Sequence, residues 1–223
     1  MQWSWISDNG SQIWQLTWEN AKLGVLPALY GLLISLPLGI VCAHFRWSYP
    51  PVLSVVSVIY AIPSLALWIA LIPYYGLTDT TVIIGLTAYS LCVIVPNVVA
   101  GLRAVPSPVR QSATAMGYGA LRRLIAVELP LAVPVIVAGL RVAVVSGIAL
   151  ATLGQLIGVS SLGYYFIDGL QRDFPTEIYV GMVLVMALAV ACDLVLVGVR
   201  RALTPWLVRR SVRRPLIPWL VRA

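Results

Sequence analysis

Five stretches of predominantly apolar residues, each long enough to cross a membrane as a helix, constrain this chain more than any other feature. About 20 residues, rising 1.5 Å each, cover the roughly 30 Å hydrocarbon core of a bilayer. Only 10% of the chain is charged and 60% is hydrophobic, whereas a soluble domain has about 25% charged residues. The sequence therefore predicts an all-α membrane protein and excludes a soluble enzyme, a disordered chain and a secreted disulfide scaffold. The five predicted transmembrane helices cover 23–44, 52–77, 81–102, 129–159 and 179–199.

The second and fourth stretches are longer than a membrane requires, so we expect them to be tilted or broken. Pro63 lies near the middle of the second stretch. Because proline lacks an N–H and its ring clashes with the preceding turn, Pro63 is the predicted position of a break.

The arginines indicate an orientation. Of the 15 basic residues, 12 lie after the first, third and fifth apolar stretches. Loops rich in Lys and Arg remain in the cytoplasm, so the N-terminus is predicted outside and the C-terminus in the cytoplasm, in a multi-pass membrane protein. An odd number of spans gives the same result. The net charge of +7 then reflects membrane topology, and no nucleic-acid partner is expected.

The two ends of the chain differ from the 21–199 transmembrane domain. Residues 1–20 carry several tryptophans, which favour the membrane interface, so we expect an extracytoplasmic interfacial segment. Residues 200–223 form a basic cytoplasmic tail, in which arginines alternate with apolar residues. The tail is predicted to lie on the inner lipid surface; a solvated basic tail is the alternative.

The cytoplasmic connection at 103–130 is too long for a simple turn. It contains a helix-start signal at Ser107 and Pro108, followed by apolar residues at helical spacing. A short helix presented by a membrane domain suits docking into a groove of a soluble partner.

The same connection carries a specific motif, which is similar to the coupling-loop signature of ATP-binding-cassette importer permeases. That signature reads Glu-Ala-Ala, three residues, Gly, nine residues, Ile-x-Leu-Pro, and the spacing from Gly117 to Pro130 matches it. Gln111 replaces the usual Glu and Ser112 the first Ala, which removes a charge from the signature. Gly117 is expected at a turn, and Pro130 is expected to start the next helix. The matching residues are Gln111, Ser112, Ala113, Met116, Gly117, Val127, Glu128, Leu129 and Pro130.

A narrower resemblance covers most of the chain. The stretches 61–73, 131–141 and 156–163 resemble permeases for glycine betaine, carnitine and choline. This resemblance implies import of such a compatible solute; a permease for methionine or another small metabolite is the alternative.

The family resemblance also implies a type I importer fold and a set of partners: a second permease subunit, identical or paralogous, two ATPase subunits and an extracytoplasmic solute-binding protein. ATP and Mg would bind the ATPase, so this chain would hold no cofactor, no metal and no catalytic residue. A membrane-embedded enzyme is disfavoured, because acidic residues are dispersed and His44 is the only histidine. A purely structural or sensory protein is disfavoured, because an ordered coupling loop would have no purpose in it.

Polar residues inside the apolar stretches are the remaining candidates, because ionisable groups in a membrane pair or face a cavity. Arg141 and Asp193 are predicted to form a structural ion pair. Tyr60, Pro63, Ser64, Asn97 and Arg141 are candidates for the translocation path or its gate. Small residues at four-residue spacing, Ala143, Gly147 and Ala151, predict a close helix contact, either inside the subunit or between subunits.

Overall fold

The computed structural model describes residues 3–206, which form helices joined by short turns, with no strand in that range. The α-helices are α1 Trp3–Asp8, α2 Gly10–His44, α3 Tyr49–Ala61, α4 Ser64–Tyr75, α5 Asp79–Arg103, α6 Ser107–Ala115, α7 Ala120–Arg123, α8 Leu129–Ala151, α9 Tyr164–Gln171 and α10 Pro175–Leu203. The end of the basic tail, 207–223, lies outside the described residues.

Four helical segments are long and apolar enough to cross a membrane, and a fifth candidate consists of two helices bent by 92°. The bend lies between α3 and α4, at Ile62 and Pro63. The break predicted at Pro63 is therefore confirmed. Its cause is local, because proline removes a helical donor and disfavours helical backbone at the preceding residue.

Helix α2 starts 13 residues before the predicted boundary at Leu23. It runs without interruption from Gly10, so residues 10–20 belong to the same continuous helix as the first predicted span. Tertiary contacts stabilise this extension: the amide of Asn20 is buried, donates to the Ile148 carbonyl over 3.2 Å and accepts from the Leu162 N–H over 3.3 Å. The length of the apolar stretch, from which the boundary at Leu23 was predicted, does not reveal these contacts.

Helix α8 starts at Leu129 with Pro130 in its first turn, as expected, but the segment before it is also helical. The chain is helical from Ala120 through Ala151, with a π-helical turn at Leu124–Glu128. In that turn the Leu129 N–H bonds to the Leu124 carbonyl, five residues back. The wider turn accommodates the proline ring that follows, so helix continues through Pro130. At the other end, α8 gives way to a 3-10 turn at Thr152–Ile157, earlier than the predicted 159.

Helices α2, α5 and α8 pack against one another and form the core. Helices α2 and α8 approach each other backbone to backbone: a Cβ on Gly147 would lie 2.7 Å from the Gly24 carbonyl oxygen. Gly147, Ala143 and Ala151 are all buried in the single chain. The stripe of small residues therefore packs inside the subunit, which decides between the two alternatives that the sequence left open.

Helix α9 covers the end of the bundle opposite the coupling connection and packs on α10. Its Tyr165 is fully buried against Trp5, with ring centroids 5.8 Å apart. Burial, with a smaller contribution from the negative charge of Glu177, raises the pKa of Tyr165 to about 12.

The α2–α8 contact gives a stability prediction. Replacing Gly147 with Ala would force the two backbones apart, and we expect a loss of about 1–3 kcal/mol in the free energy of unfolding. Gly198→Ala is the matched control, because a Cβ there meets nothing within 4 Å and alanine favours helix by up to about 1 kcal/mol. Thermal unfolding in detergent should show a lower midpoint for Gly147→Ala alone. Equal midpoints would contradict the close packing of α2 on α8.

Candidate coupling site

Helix α6 is a short helix with a defined start and end. It begins at Ser107, with Pro108 in its first turn, as the sequence predicted. It ends at Ala115 and is closed by Gly117, whose φ of +83° is left-handed. There the Tyr118 N–H bonds to the Ala113 carbonyl over 3.1 Å and the Gly117 N–H to the Thr114 carbonyl over 2.9 Å. These two bonds form a Schellman cap, which requires a residue that tolerates positive φ.

Most of α6 faces outward. Ala113 is its single buried residue, at 1% exposure. Gln111 and Ser112 are exposed, and Met116, just after the helix, is 69% exposed. The helix thus packs on the subunit through one small residue and exposes most of its remaining surface.

Glu128 holds this segment together. It is 9% exposed and lies in the π-helical turn. Its carboxylate accepts from Arg123 Nε over 2.9 Å and lies 3.6 Å from Arg110 Nε. Since Arg110 belongs to α6 and Arg123 to α7, one carboxylate joins three consecutive pieces of the connection.

The two arginines extend this network. Arg110 also donates to the Leu102 carbonyl at the end of α5. Arg123 donates from a terminal nitrogen to the Thr114 hydroxyl over 3.0 Å. These contacts connect α6 to the end of α5 and to the turn that precedes α8. Sequence reasoning missed Arg110 and Arg123 as site residues, because the motif does not include them and only the fold brings them to Glu128.

The network lines a cleft of about 300 Å³ between the end of α2 and the coupling connection. Its walls come from α2, α5, α6 and α7, and His44 lies at its edge. The other motif residues lie on the far side: Val127 and Pro130 line a second cleft, of about 280 Å³, together with Trp206. Leu129 packs against the core.

Arg141 and Asp193 form a bidentate ion pair between α8 and α10. Both N···O distances, from Nε and from a terminal nitrogen, are 2.7 Å. Each side chain is a little over a quarter exposed. The pair joins the last two spans, and it lies on the opposite face of α8 from Ala143 and Gly147, which face α2.

The five candidates for the translocation path do not form a single cluster. Tyr60, at the end of α3, is 51% exposed and lines a small cavity between α2, α5 and α8. Pro63 and Ser64 form the break and the start of α4. Asn97 donates to the Val93 carbonyl of its own helix and packs against Gly139. The structure brings Tyr60, Pro63 and Ser64 together and leaves Asn97 and Arg141 elsewhere.

Comparison with known families assigns this architecture. Residues 35–209 match the family described as "binding-protein-dependent transport system inner membrane component". The chain belongs to this family. It is a permease subunit of an ABC importer, a multi-pass protein of the bacterial cytoplasmic membrane, and not an enzyme: ATP hydrolysis belongs to a separate ATPase.

Curated relatives extend over nearly the whole chain. It is 34% identical over 200 residues to the choline transport system permease protein OpuBB of Bacillus subtilis, covering 90% of this chain and 92% of that protein. It is 34% identical over 203 residues to the Bacillus subtilis glycine betaine/carnitine/choline permease OpuCD, covering 91% and 89%. It is 30% identical over 210 residues to the osmoprotectant import permease OsmW of Salmonella typhimurium, covering 92% and 98%.

A solved structure shares the fold. A chain of the MetNI methionine ABC transporter in an inward-facing conformation aligns with a TM-score of 0.75 at 21% identity, over 86% of this chain and 96% of that one. This similarity supports the type I importer permease fold. Members of such importers work with a partner permease, an ATPase and a binding protein in general.

The Glu128 network predicts a localised effect of losing its charge. Glu128→Gln leaves Arg110 and Arg123 without a counter-charge. We expect the free energy needed to open α6 and α7 locally to fall by about 1–2 kcal/mol, because the cluster is partly exposed. Amide hydrogen exchange over 107–123 should accelerate roughly tenfold. Glu19→Gln, which breaks the exposed pair with Lys22, is the control and should leave that exchange unchanged. Unaltered exchange in Glu128→Gln would show that the carboxylate does not hold the segment.

Proposed function

We propose that this permease imports a compatible solute of the quaternary-ammonium class, such as glycine betaine, carnitine or choline. The substrates named for its relatives support this proposal, since several relatives at 30–34% identity span about nine-tenths of the chain. The similarity to MetNI, at 21% identity, supports the fold and does not argue for methionine as substrate. Methionine is the alternative substrate that an uptake experiment must exclude.

The orientation that fits this function places the coupling connection in the cytoplasm. Arg103, Arg110, Arg122 and Arg123 all lie in or beside it, and Arg200 and Arg201 end α10 at the same end of the bundle. Basic residues favour the cytoplasmic side. The N-terminus and α9 would then face outward, where a solute-binding protein delivers its cargo.

The coupling step follows from the contacts of α6. Two ATPase subunits, which hold ATP and Mg, would receive α6 of this chain and of a second permease subunit, a copy or a paralogue. When the ATPase pair closes, it moves α6. Because Glu128, Arg110 and Arg123 connect α6 to the ends of α5 and α8, the movement passes into the core helices instead of being absorbed by a flexible loop.

Solute would cross beside the break in the second segment. Tyr60 lies next to Pro63 and Ser64, and its ring packs edge-on against Tyr89 with centroids 5.5 Å apart. An aromatic face that is half exposed can attract a trimethylammonium group through a cation–π contact. Arg141 is neutralised by Asp193, so it does not present a bare positive charge to such a cation.

The Schellman cap of α6 gives a test of the proposed coupling. The substitution Gly117→Val places a β-branched residue in left-handed backbone, which costs about 1–3 kcal/mol of strain. The control Gly119→Val causes no such strain, because the backbone there is extended, with φ −64° and ψ 163°. A Cβ has open space at both sites. Each variant is co-purified with the ATPase encoded with it, and uptake of labelled glycine betaine, carnitine, choline and methionine is measured. We expect Gly117→Val to fail to co-purify with the ATPase and to lose solute uptake, and Gly119→Val to retain both.

Two results would contradict the proposal. Full retention of the ATPase by Gly117→Val would show that α6 is not the coupling element. Uptake of methionine, with no uptake of any quaternary ammonium compound, would overturn the substrate class while leaving the importer assignment intact.

The proposed path predicts a ring-specific effect at Tyr60. Tyr60→Phe keeps the aromatic face and should retain uptake of choline. Tyr60→Leu removes it and should lower uptake roughly fivefold, as expected for losing a cation–π contact of about 1 kcal/mol. Tyr74→Leu, at an 81% exposed tyrosine near the end of α4, is the control. Equal uptake by Tyr60→Leu and Tyr74→Leu would remove Tyr60 from the path.

A further inference from the structure

We propose that the hydroxyl of Tyr89 is a latch that holds the broken segment α3–α4 in its bent form. Tyr89 is a positioning residue in this proposal: it acts through the backbone at the break. The structural part of the proposal stands without the proposed substrate, whereas its effect on transport rests on the proposed function.

The break leaves a backbone carbonyl without a helical partner. Ile62 directly follows the last residue of α3, and its backbone is extended, with φ −69° and ψ 129°. The first turn of α4 is closed by the Leu67 N–H, which bonds to the Pro63 carbonyl over 3.0 Å. Within residues 3–206, no backbone N–H bonds to the Ile62 carbonyl. Inside a bilayer, an unpaired carbonyl costs several kcal/mol.

Tyr89 supplies the missing donor from a different helix. It lies on α5 and is 6% exposed, and its hydroxyl donates to the Ile62 carbonyl, 27 residues away in sequence. The bond therefore joins the break itself to the core. It replaces a helical bond that the Pro63 break removes.

A second contact holds the α4 side of the break against α5. Trp68 is fully buried, and a Cβ on Gly85 would lie 2.4 Å from its indole nitrogen. Because Trp68 fills the space at Gly85, α4 cannot move closer to α5. The hydroxyl of Tyr89 prevents α3 and the break from moving away, so the two contacts together set the bend.

The latch closes a small cavity beside the break. The space lined by Tyr60, Tyr89, Ser90 and Ser146 has a volume of about 20 Å³, enough for about one water molecule. A trimethylammonium group does not fit. Any widening there requires α3 to move relative to α5, and such movement breaks the bond from Tyr89 to Ile62.

Spin labels across the break test the latch directly. Cysteines placed at Val58 on α3 and Ile69 on α4, both more than half exposed, report the bend after Cys42, Cys92 and Cys192 are replaced. Distances are measured by pulsed electron resonance in the full-length chain in lipid nanodiscs, diluted with unlabelled chain. We expect Tyr89→Phe to shift the ratio of bent to straighter forms roughly tenfold, as for loss of one buried hydrogen bond.

The control removes a different hydroxyl from the same helix. Thr87→Val loses a bond that goes to the Ile83 carbonyl of α5 itself, so its distances should match those of the parent chain. An unchanged distribution in Tyr89→Phe, or an equal change in Thr87→Val, would overturn the latch. If the distances shift in Tyr89→Phe but the parent chain takes up no quaternary ammonium compound, the latch stands and the proposed function fails.

Pro63→Ala gives a second test, which also serves if Tyr89→Phe alone does not fold. With alanine at position 63, a continuous helix can pair the Ile62 carbonyl with the Ala66 N–H. Tyr89→Phe should then have little effect on folding yield or distances. A double variant as impaired as Tyr89→Phe by itself would show that the hydroxyl does not act through the Ile62 carbonyl.

Discussion

The need to pair every backbone polar group inside a bilayer governs this structure. Long helices pair their backbone groups internally. The chain departs from a regular α-helix where a side chain supplies the missing donor or where the helical hydrogen bonds change their spacing. At Ile62 the donor is the Tyr89 hydroxyl. Before Pro130 the register changes, because a π-helical turn at Leu124–Glu128 carries the bonding past the proline. Each of these two irregular stretches therefore has its own compensation.

A rigid centre makes these two positions useful. Gly24 and Gly147 let α2 and α8 approach until backbone meets backbone, and Asn20 adds bonds to both Ile148 and Leu162. Close-packed interiors transmit displacement instead of absorbing it. The coupling connection joins this centre through Glu128, which binds arginines of α6 and α7. The broken segment joins it through α5.

In the proposed mechanism, the permease has one element for a partner at one end and one movable element beside the core. Helix α6 offers exposed Gln111, Ser112 and Met116 while Ala113 anchors it. Gln111 leaves that surface uncharged, and two arginines of the connection, Arg110 and Arg123, are already paired to Glu128. Recognition of the ATPase by α6 would then depend on shape and apolar contact more than on a single ion pair.

The sequence alone determined what depends on local chemistry. Apolar length predicted the membrane segments, proline predicted the break at 63, and the motif placed a glycine turn at 117, because each follows from the conformational limits of a few neighbouring residues. Tertiary structure decided what depends on distant residues. It brought Arg110 and Arg123 to Glu128, and it buried Asn20 so that α2 begins at Gly10. It also turned Gly147 toward α2 and gave the Ile62 carbonyl a donor from α5. Side-chain spacing along one helix does not specify which neighbouring helix a residue will face, so only packing could settle these contacts.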